Sequence, residues 1–480
     1  MPKPALTLLS KDEIEVVHER SLEILSEIGV KIEDENVVNM LKSKGLDVEG
    51  KVVKIPAYMV KEALAKTPRT ITLYDRNGKP YHVLGEGKTL FNPGSAAIKI
   101  LDYGSTEPRP PILKDLRDLV IVVDALENIK AQSTALVPID IPIEVSDLVR
   151  LYPVLKYSEK PIITGAFSVE GLHYMVKALS IVVNDLDKKP LAIFDVCPSP
   201  PLQWSKIAIG NLVDGAKYHV PLEIIPMPQI GATGPVTIAG SLIQHNAEIL
   251  SGIVIAQLTS PGTPIIYGGS PSTFEMRHGI SLIAGIEALL LVTAYVDMAK
   301  YYGIPVHGYL GLSDSKQIDY QAGLETMLGA LIATIKGVDV ASGPGMLEFE
   351  SVQSLEKLVL DNEICGLAFR YAKGFEISKD TLAIDVIRKV RHGGHFLAQK
   401  HTVKYLRREL YMPKILYRAG RGTAIKSIIQ KAHEEVIRVL KEHKAPILDK
   451  DIEKELVEYI NSVTLKYGCN LNTIISKYRI

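Results

Sequence analysis

From Lys88 onward, short apolar runs alternate with long amphipathic stretches. The runs fall at 89–94 (TLFNPG), 129–138, 160–168, 190–198, 221–229, 264–271, 305–311 and 338–345. Apolar segments this short, closed by Gly- or Pro-containing turns, have the pattern of strands buried on both faces. Between them lie helical patterns at Leu113–Leu126, Ser146–Tyr157, Gly171–Asn184, Trp204–Tyr218, Val236–Leu258, Ile280–Tyr302, Gln317–Ile335 and Glu350–Ala372. Eight strand–helix units in this length predict a (β/α)8 TIM barrel over 88–373, where a doubly wound sheet usually has fewer strands. Several of the runs open on proline (Pro161, Pro190, Pro221, Pro264, Pro305), a residue tolerated at the start of a strand.

The barrel segment is flanked by additions of a different rhythm. Residues 1–87 read as a helical and mixed region. Ser10 with Glu13 makes a capping box for a helix over Asp12–Ile28, and Gly29 stops it. Helices follow at Glu35–Lys44 and Ala57–Lys66, then a hairpin turning at Asn77-Gly78. Residues 374–480 read as a helical region packing on the barrel, with GFEISKDTLAIDVI, Ile425–Glu442 and Asp449–Leu465 as helices.

In a barrel of this kind the carboxyl ends of the strands carry the chemistry. Those ends supply Phe91, Asp195, Cys197, Tyr267, Phe274, Glu275, Arg277, His307, Tyr309, Asp314, Lys316, Glu348 and Phe349. Such a mouth is rich in aromatic faces and acids and poor in cations, which suits a protonated or quaternary amine. Any single aromatic here is more often packing than ligand contact. His307, Cys197, Asp195 and Glu275 could converge on a metal, but without HExxH or paired cysteines no metal site is expected. His392, His395 and His401 read as a packed turn rather than a ligand set, and no GxGxxG or Walker pattern occurs.

Composition narrows the classes. Hydrophobic residues make up 46%, enough for a large core and against disorder. Lys plus Arg and Asp plus Glu number 55 each, so net charge favours neither nucleic acid nor an acidic membrane. Three scattered cysteines fit a reducing cytoplasm. The early apolar run near Leu6–Leu9 meets Lys11, Asp12 and Glu13 too soon for a signal peptide, and Glu287 and Asp297 interrupt the most apolar helical pattern. A cytoplasmic protein outside the membrane is the expectation.

Longer motifs go further. GATGPVTIAG, QHNAE, the QL-x-x-PG-x-P-x-IYG run, EMR-x-G, SDSK-x-x-D-x-QAG, GMLE, EKLVLDNE and GGHFL are similar to those of the trimethylamine:corrinoid methyltransferase family. So are KHT, R-x-EL-x-x-PK-x-L and the opening LSKDEIEVVHERSLEILSEIGVKI, so that the resemblance spans nearly the whole chain. It implies a TIM barrel that binds a methylated amine and docks a cognate corrinoid protein, whose cobalt(I) takes the methyl group; the cobalamin belongs to that partner. The chain has only standard residues and no pyrrolysine, which points to the branch acting on quaternary amines such as glycine betaine. Ser342 stands where many members carry a histidine, and EMRHG replaces a more usual DMRTG.

On that footing His307, Asp314 and Glu275 are expected to orient the reacting groups. Phe91, Asp195, Tyr267, Phe274, Tyr309, Lys316 and Glu348 are expected to line the amine site, and Arg277 to meet a carboxylate if the amine is a betaine. A homo-oligomer is also expected. Two alternatives stay open: another corrinoid-linked methyl donor, such as a methylated thiol or ether, and a non-catalytic amine-binding protein.

Overall fold

A computed structural model describes residues 2–418, 420–422 and 425–478. Among them are eight short parallel strands at the places of the apolar runs: β1 (Leu90–Asn92), β2 (Gln132–Ser133), β3 (Ile162–Gly165), β4 (Ala192–Val196), β5 (Leu222–Ile224), β6 (Ile265–Tyr267), β7 (His307–Tyr309) and β8 (Val340–Ser342). Strands β2 to β6 are neighbours in chain order in one parallel sheet, and β7, β8 and β1 form a second. Isolated parallel bridges join Phe91 to Ile129 and Tyr267 to Val306. A helix follows each strand, at Leu113–Ala125, Ile143–Tyr157, Gly171–Val182, Lys206–Lys217, Ile238–Thr259, Ile286–Tyr302, Tyr320–Lys336 and Leu355–Ala372. The fold is α/β with parallel sheets.

Register decides what meets inside. Asp195 on β4 lies opposite Gly165 on β3 and Glu223 on β5, so two carboxyls become neighbours in a strand ladder. Tyr309 on β7 lies opposite Ser342 on β8, which lies opposite Asn92 on β1. Ser342 Oγ donates to Asn92 Oδ1 (2.9 Å) and lies 3.0 Å from His307 Nε2. Asn92, Ser342 and His307 are thus buried and bonded to one another, as interior polar groups generally are.

The flanking elements are held on the outside of the helices. The capping box at Ser10 is made in full, and its helix runs Lys11–Glu23 before a wider turn at Ile24–Ile28. This helix and Ala57–Lys66 pack on Ile238–Thr259. Near the other end, Ile428–Glu442 packs on Leu355–Ala372 and Lys450–Thr464 on Ile143–Tyr157 and Gly171–Val182. Ile238–Thr259 is long and apolar enough to cross a membrane by length and composition, yet most of it is buried within the protein. Among the described residues it, not the 280–302 pattern, is the helix with that property.

Three helical patterns depart furthest from the periodicity, for local reasons. Residues 280–282 form a strand antiparallel to Ser272–Glu275, and the Asp314 carboxylate accepts from the amides of Ile283 and Ala284 (3.0 and 2.9 Å). Glu348, Phe349 and Glu350 all have positive φ, so the helix starts only at Leu355, capped by Ser354. Of GFEISKDTLAIDVI only the last four residues are helical, as the start of Ile384–Val390, because Ser378 and Thr381 bond their own turn.

One network ties the N-terminal helix to the strands. Tyr267 Oη donates to Asn246 Oδ1, and Asn246 Nδ2 donates to Ser21 Oγ and Tyr302 Oη, each at 2.9 Å. Tyr267 is fully buried. Tyr267→Phe is therefore expected to cost about 1–3 kcal/mol in urea unfolding, since it strands the Asn246 carbonyl, while leaving kcat/KM within about twofold.

Candidate functional site

A cavity of about 560 Å³ opens at the carboxyl ends of β3, β4 and β7. Asp195 and Cys197 wall one side, Tyr309 and Ser95 another, and the 349–351 loop closes over them with Phe349 and Glu350. Phe167 and Met227 complete an apolar collar with Ile98 and Ile207; these four are between 39 and 56% exposed. Gly165 lies so close that an added Cβ would meet Asp195 Cβ at 3.3 Å, so a larger residue there would push the carboxyl out of place.

Three acids gather at this cavity. Ser95 Oγ bonds to Tyr309 Oη (2.8 Å) and donates to Asp195 Oδ2 (3.4 Å). Burial raises the Asp195 carboxyl to about 6, against the opposing pull of hydrogen bonds with Glu223 and Ser95 and the charge of Arg150. Burial also holds Glu223 well above the usual carboxylate range, and the charge of Asp195 adds to it. Apart from that shared interaction, neither Glu223 oxygen has a donor, and Asp195 Oδ1 has none. Glu350 is pushed up to about 8 by burial, opposed by a bond from Tyr309 and reinforced by Asp195. Neutral acids that ionise readily when a cation arrives are what such an arrangement provides.

The loop that delivers Glu350 is conformationally unusual. Glu348, Phe349 and Glu350 have φ of 45°, 56° and 70°, a left-handed run that costs roughly 1–2 kcal/mol per residue for non-glycine side chains. The Glu348 carboxylate faces Lys99 (3.5 Å) and Lys316 (3.7 Å). Runs of this kind persist where surrounding structure over-determines them, commonly at binding sites.

Of the residues singled out by sequence, Asp195 and Tyr309 line the cavity. His307 is fully buried beneath it, 4.0 Å from Glu223, edge-on to the Tyr309 ring, and burial lowers its imidazole to about 3, so it is neutral. Phe91 is buried against Phe369, and Tyr267 lies in the network above. Asp314 pins the 283–284 backbone, with burial raising it to about 7. Phe274, Glu275 and Arg277 sit on the extra hairpin; Glu275 bonds the amides of Arg277 and His278, and Arg277 is exposed. Lys316 and Glu348 pair beside the cavity rather than in its wall. Asp195 and Cys197 share a wall without His307 or Glu275. Ser95, Phe167, Met227, Glu223 and Glu350 were not among the expected residues. Glu223 had a readable signal, an acid inside the apolar strand PLEII.

The family model for trimethylamine methyltransferase (MTTB) matches residues 1–467. The chain belongs to this family. It is 34% identical over 465 residues to a glycine betaine methyltransferase of Desulfitobacterium hafniense, covering 95% of this chain and 97% of that protein. To the trimethylamine methyltransferase MttB of Methanosarcina barkeri it is 32% identical, over 94% of each. The fold is shared with the crystal structure of the Methanosarcina barkeri monomethylamine methyltransferase, at a TM-score of 0.54 and 14% identity, over 92% of this chain and 89% of that one. Membership makes the chain a methyltransferase of the EC 2.1.1 type.

Proposed function

We propose that this family member moves a methyl group from a methylated ammonium ion, bound in the Asp195–Tyr309–Glu350 cavity, to a corrinoid carried by a partner protein. The observation that carries the reading is the cavity wall, where aromatic faces meet the half-buried Asp195 and Glu350 carboxyls, backed by the buried Glu223, without a Lys, Arg or His among the described lining residues. Two parallel sheets joined by bridges at Phe91–Ile129 and Tyr267–Val306 support a closed (β/α)8 barrel over 88–373, with 1–87 and 374–480 as additions. A cytoplasmic homo-oligomer remains part of this reading.

The corrinoid would supply a reduced cobalt as methyl acceptor. The exposed collar of Ile98, Phe167, Ile207 and Met227 suits the flat apolar face of such a group. This chain's own work is to hold the ammonium. Phe167, Tyr309 and Phe349 offer faces to its methyl groups, and Asp195 and Glu350 supply compensating charge. His307, bonded to Ser342, positions Tyr309 from below and moves no proton. The departing amine leaves neutral, so no general base is required. Asp314, Glu275, Arg277 and Lys316 hold the mouth loops or meet the partner.

Incubation with reduced cobalamin and a panel of methylated ammonium ions is expected to bleach the cobalt(I) absorbance and yield the amine one methyl poorer. If methylated thiols or ethers alone react, the methyl-donor alternative replaces this reading.

A further inference from the structure

We infer that the cavity is built for a methylated ammonium ion that carries no carboxylate, and so discriminates against betaines. The inference rests on the methyl-donor reading above and adds its substrate class. The negative charge available to the site is internal: Asp195, with Oδ1 unpartnered, and Glu350 both line the cavity, and the buried Glu223 lies next to Asp195 on the adjoining strand. A second anion in the same space would meet Asp195 and Glu350, the two lining acids that ionise beside the cation, at close range and in a poorly hydrated setting.

Among the described residues no basic side chain lines the cavity to receive it. Arg150, the nearest buried cation, donates to Thr134 O (2.9 Å) and Asp147 Oδ1 (3.1 Å) and lies over the outer Phe167 ring, 5.1 Å from its centroid. It is 1% exposed and absent from the cavity wall. Lys99 and Lys316 face the Glu348 carboxylate. Arg277 is exposed on the hairpin and also lies outside the wall. Of the neutral polar lining groups, Ser95 bonds Tyr309 and Asp195, Asn211 Nδ2 donates to the Ala166 carbonyl and Ser351 Oγ to the Glu348 carbonyl, which leaves the uncharged Ser205 hydroxyl; Ile98, Ile207 and Met227 are apolar.

Choline and glycine betaine isolate the question, because both carry a trimethylammonium group and differ in a hydroxymethyl against a carboxylate. Calorimetric titration of the full chain is expected to give choline an affinity on the order of 100-fold above that of glycine betaine. The same order should hold for kcat/KM in the cobalt(I) assay. Ile98→Arg, placed at a collar position that is 56% exposed and so tolerant of the change, is expected to narrow the ratio at least about tenfold by offering a carboxylate a partner. Glycine betaine binding as tightly as choline, with methyl transfer from both, overturns the inference and leaves the methyl-donor reading standing. If neither choline, tetramethylammonium nor glycine betaine binds the folded wild-type chain, both fall. A ratio that Ile98→Arg leaves unchanged also counts against the inference, since the missing cation would not then be what excludes betaines.

Discussion

Asp195→Asn is expected to weaken tetramethylammonium binding by about 2–3 kcal/mol, roughly 30- to 150-fold in Kd, because it removes the charge that compensates a desolvated cation. The wild-type affinity should also depend on pH in a stated direction. Asp195 and Glu350 titrate near about 6 and about 8 in the folded protein, raised chiefly by burial. Below those values they are protonated and neutral, and a cation must then displace a proton to gain a partner. Affinity should therefore be weakest near pH 5, climb as the acids ionise, and level off above about pH 8. Glu223, Cys197, Tyr309 and Arg150 surround the pair; burial pushes the first three toward their neutral forms, and Arg150 is paired with Asp147. Titration in buffers of differing ionisation enthalpy should register proton release on binding. Asp195→Asn should flatten the lower part of the profile and leave the Glu350 limb. A wild-type affinity that is level from about pH 5 to 9 would contradict the idea that these acids meet the cation.

The alternation of apolar runs made the strand order and helix count legible, because parallel strands buried on both faces have no other economical sequence pattern. The site was less legible, for reasons that differ by residue. Asp195 and Tyr309 sit at the ends of recognisable runs and were found. Glu350 reaches the cavity through three left-handed non-glycine residues, which no local propensity announces, and the stretch reads as helix instead. Phe274, Glu275 and Arg277 follow a strand and so read as mouth residues, but the chain there folds back as a hairpin on Gln229–Ile230 and carries them aside. His307 and Tyr267 lie on strands with their side chains buried below the mouth, so proximity in sequence to a strand end did not place them in the wall. Phe167 and Met227 belong to loops whose course depends on tertiary contacts. One of those contacts is the Asp147 carboxylate accepting from the Phe167 amide (2.7 Å).

Arg150→Met is expected to be among the most destabilising single changes near the cavity, costing about 3–5 kcal/mol in urea unfolding. Arg150 and Asp147 are 1% and 3% exposed at the side chain and lie 3.1 Å apart. Burial alone opposes the charge on each, lowering the guanidinium and raising the carboxyl, and their mutual attraction offsets it. Removal of the guanidinium leaves a buried carboxylate whose remaining donors are the Phe167 amide and, at 3.5 Å, Ser168 Oγ. It also frees the Thr134 carbonyl. The double variant Asp147→Leu with Arg150→Met removes both charges, so it should recover most of the loss. A residue of about 1–3 kcal/mol should persist, because the Thr134 carbonyl and Phe167 amide stay unpaired. Activity should part from stability here. The double variant no longer pins the Phe167 backbone or covers its ring, so KM for the ammonium should rise several-fold even where stability has returned, with kcat changed less. A double variant that loses as much stability as the two single losses combined would show that the pair is not coupled. A restored KM would show that Phe167 is placed by other contacts.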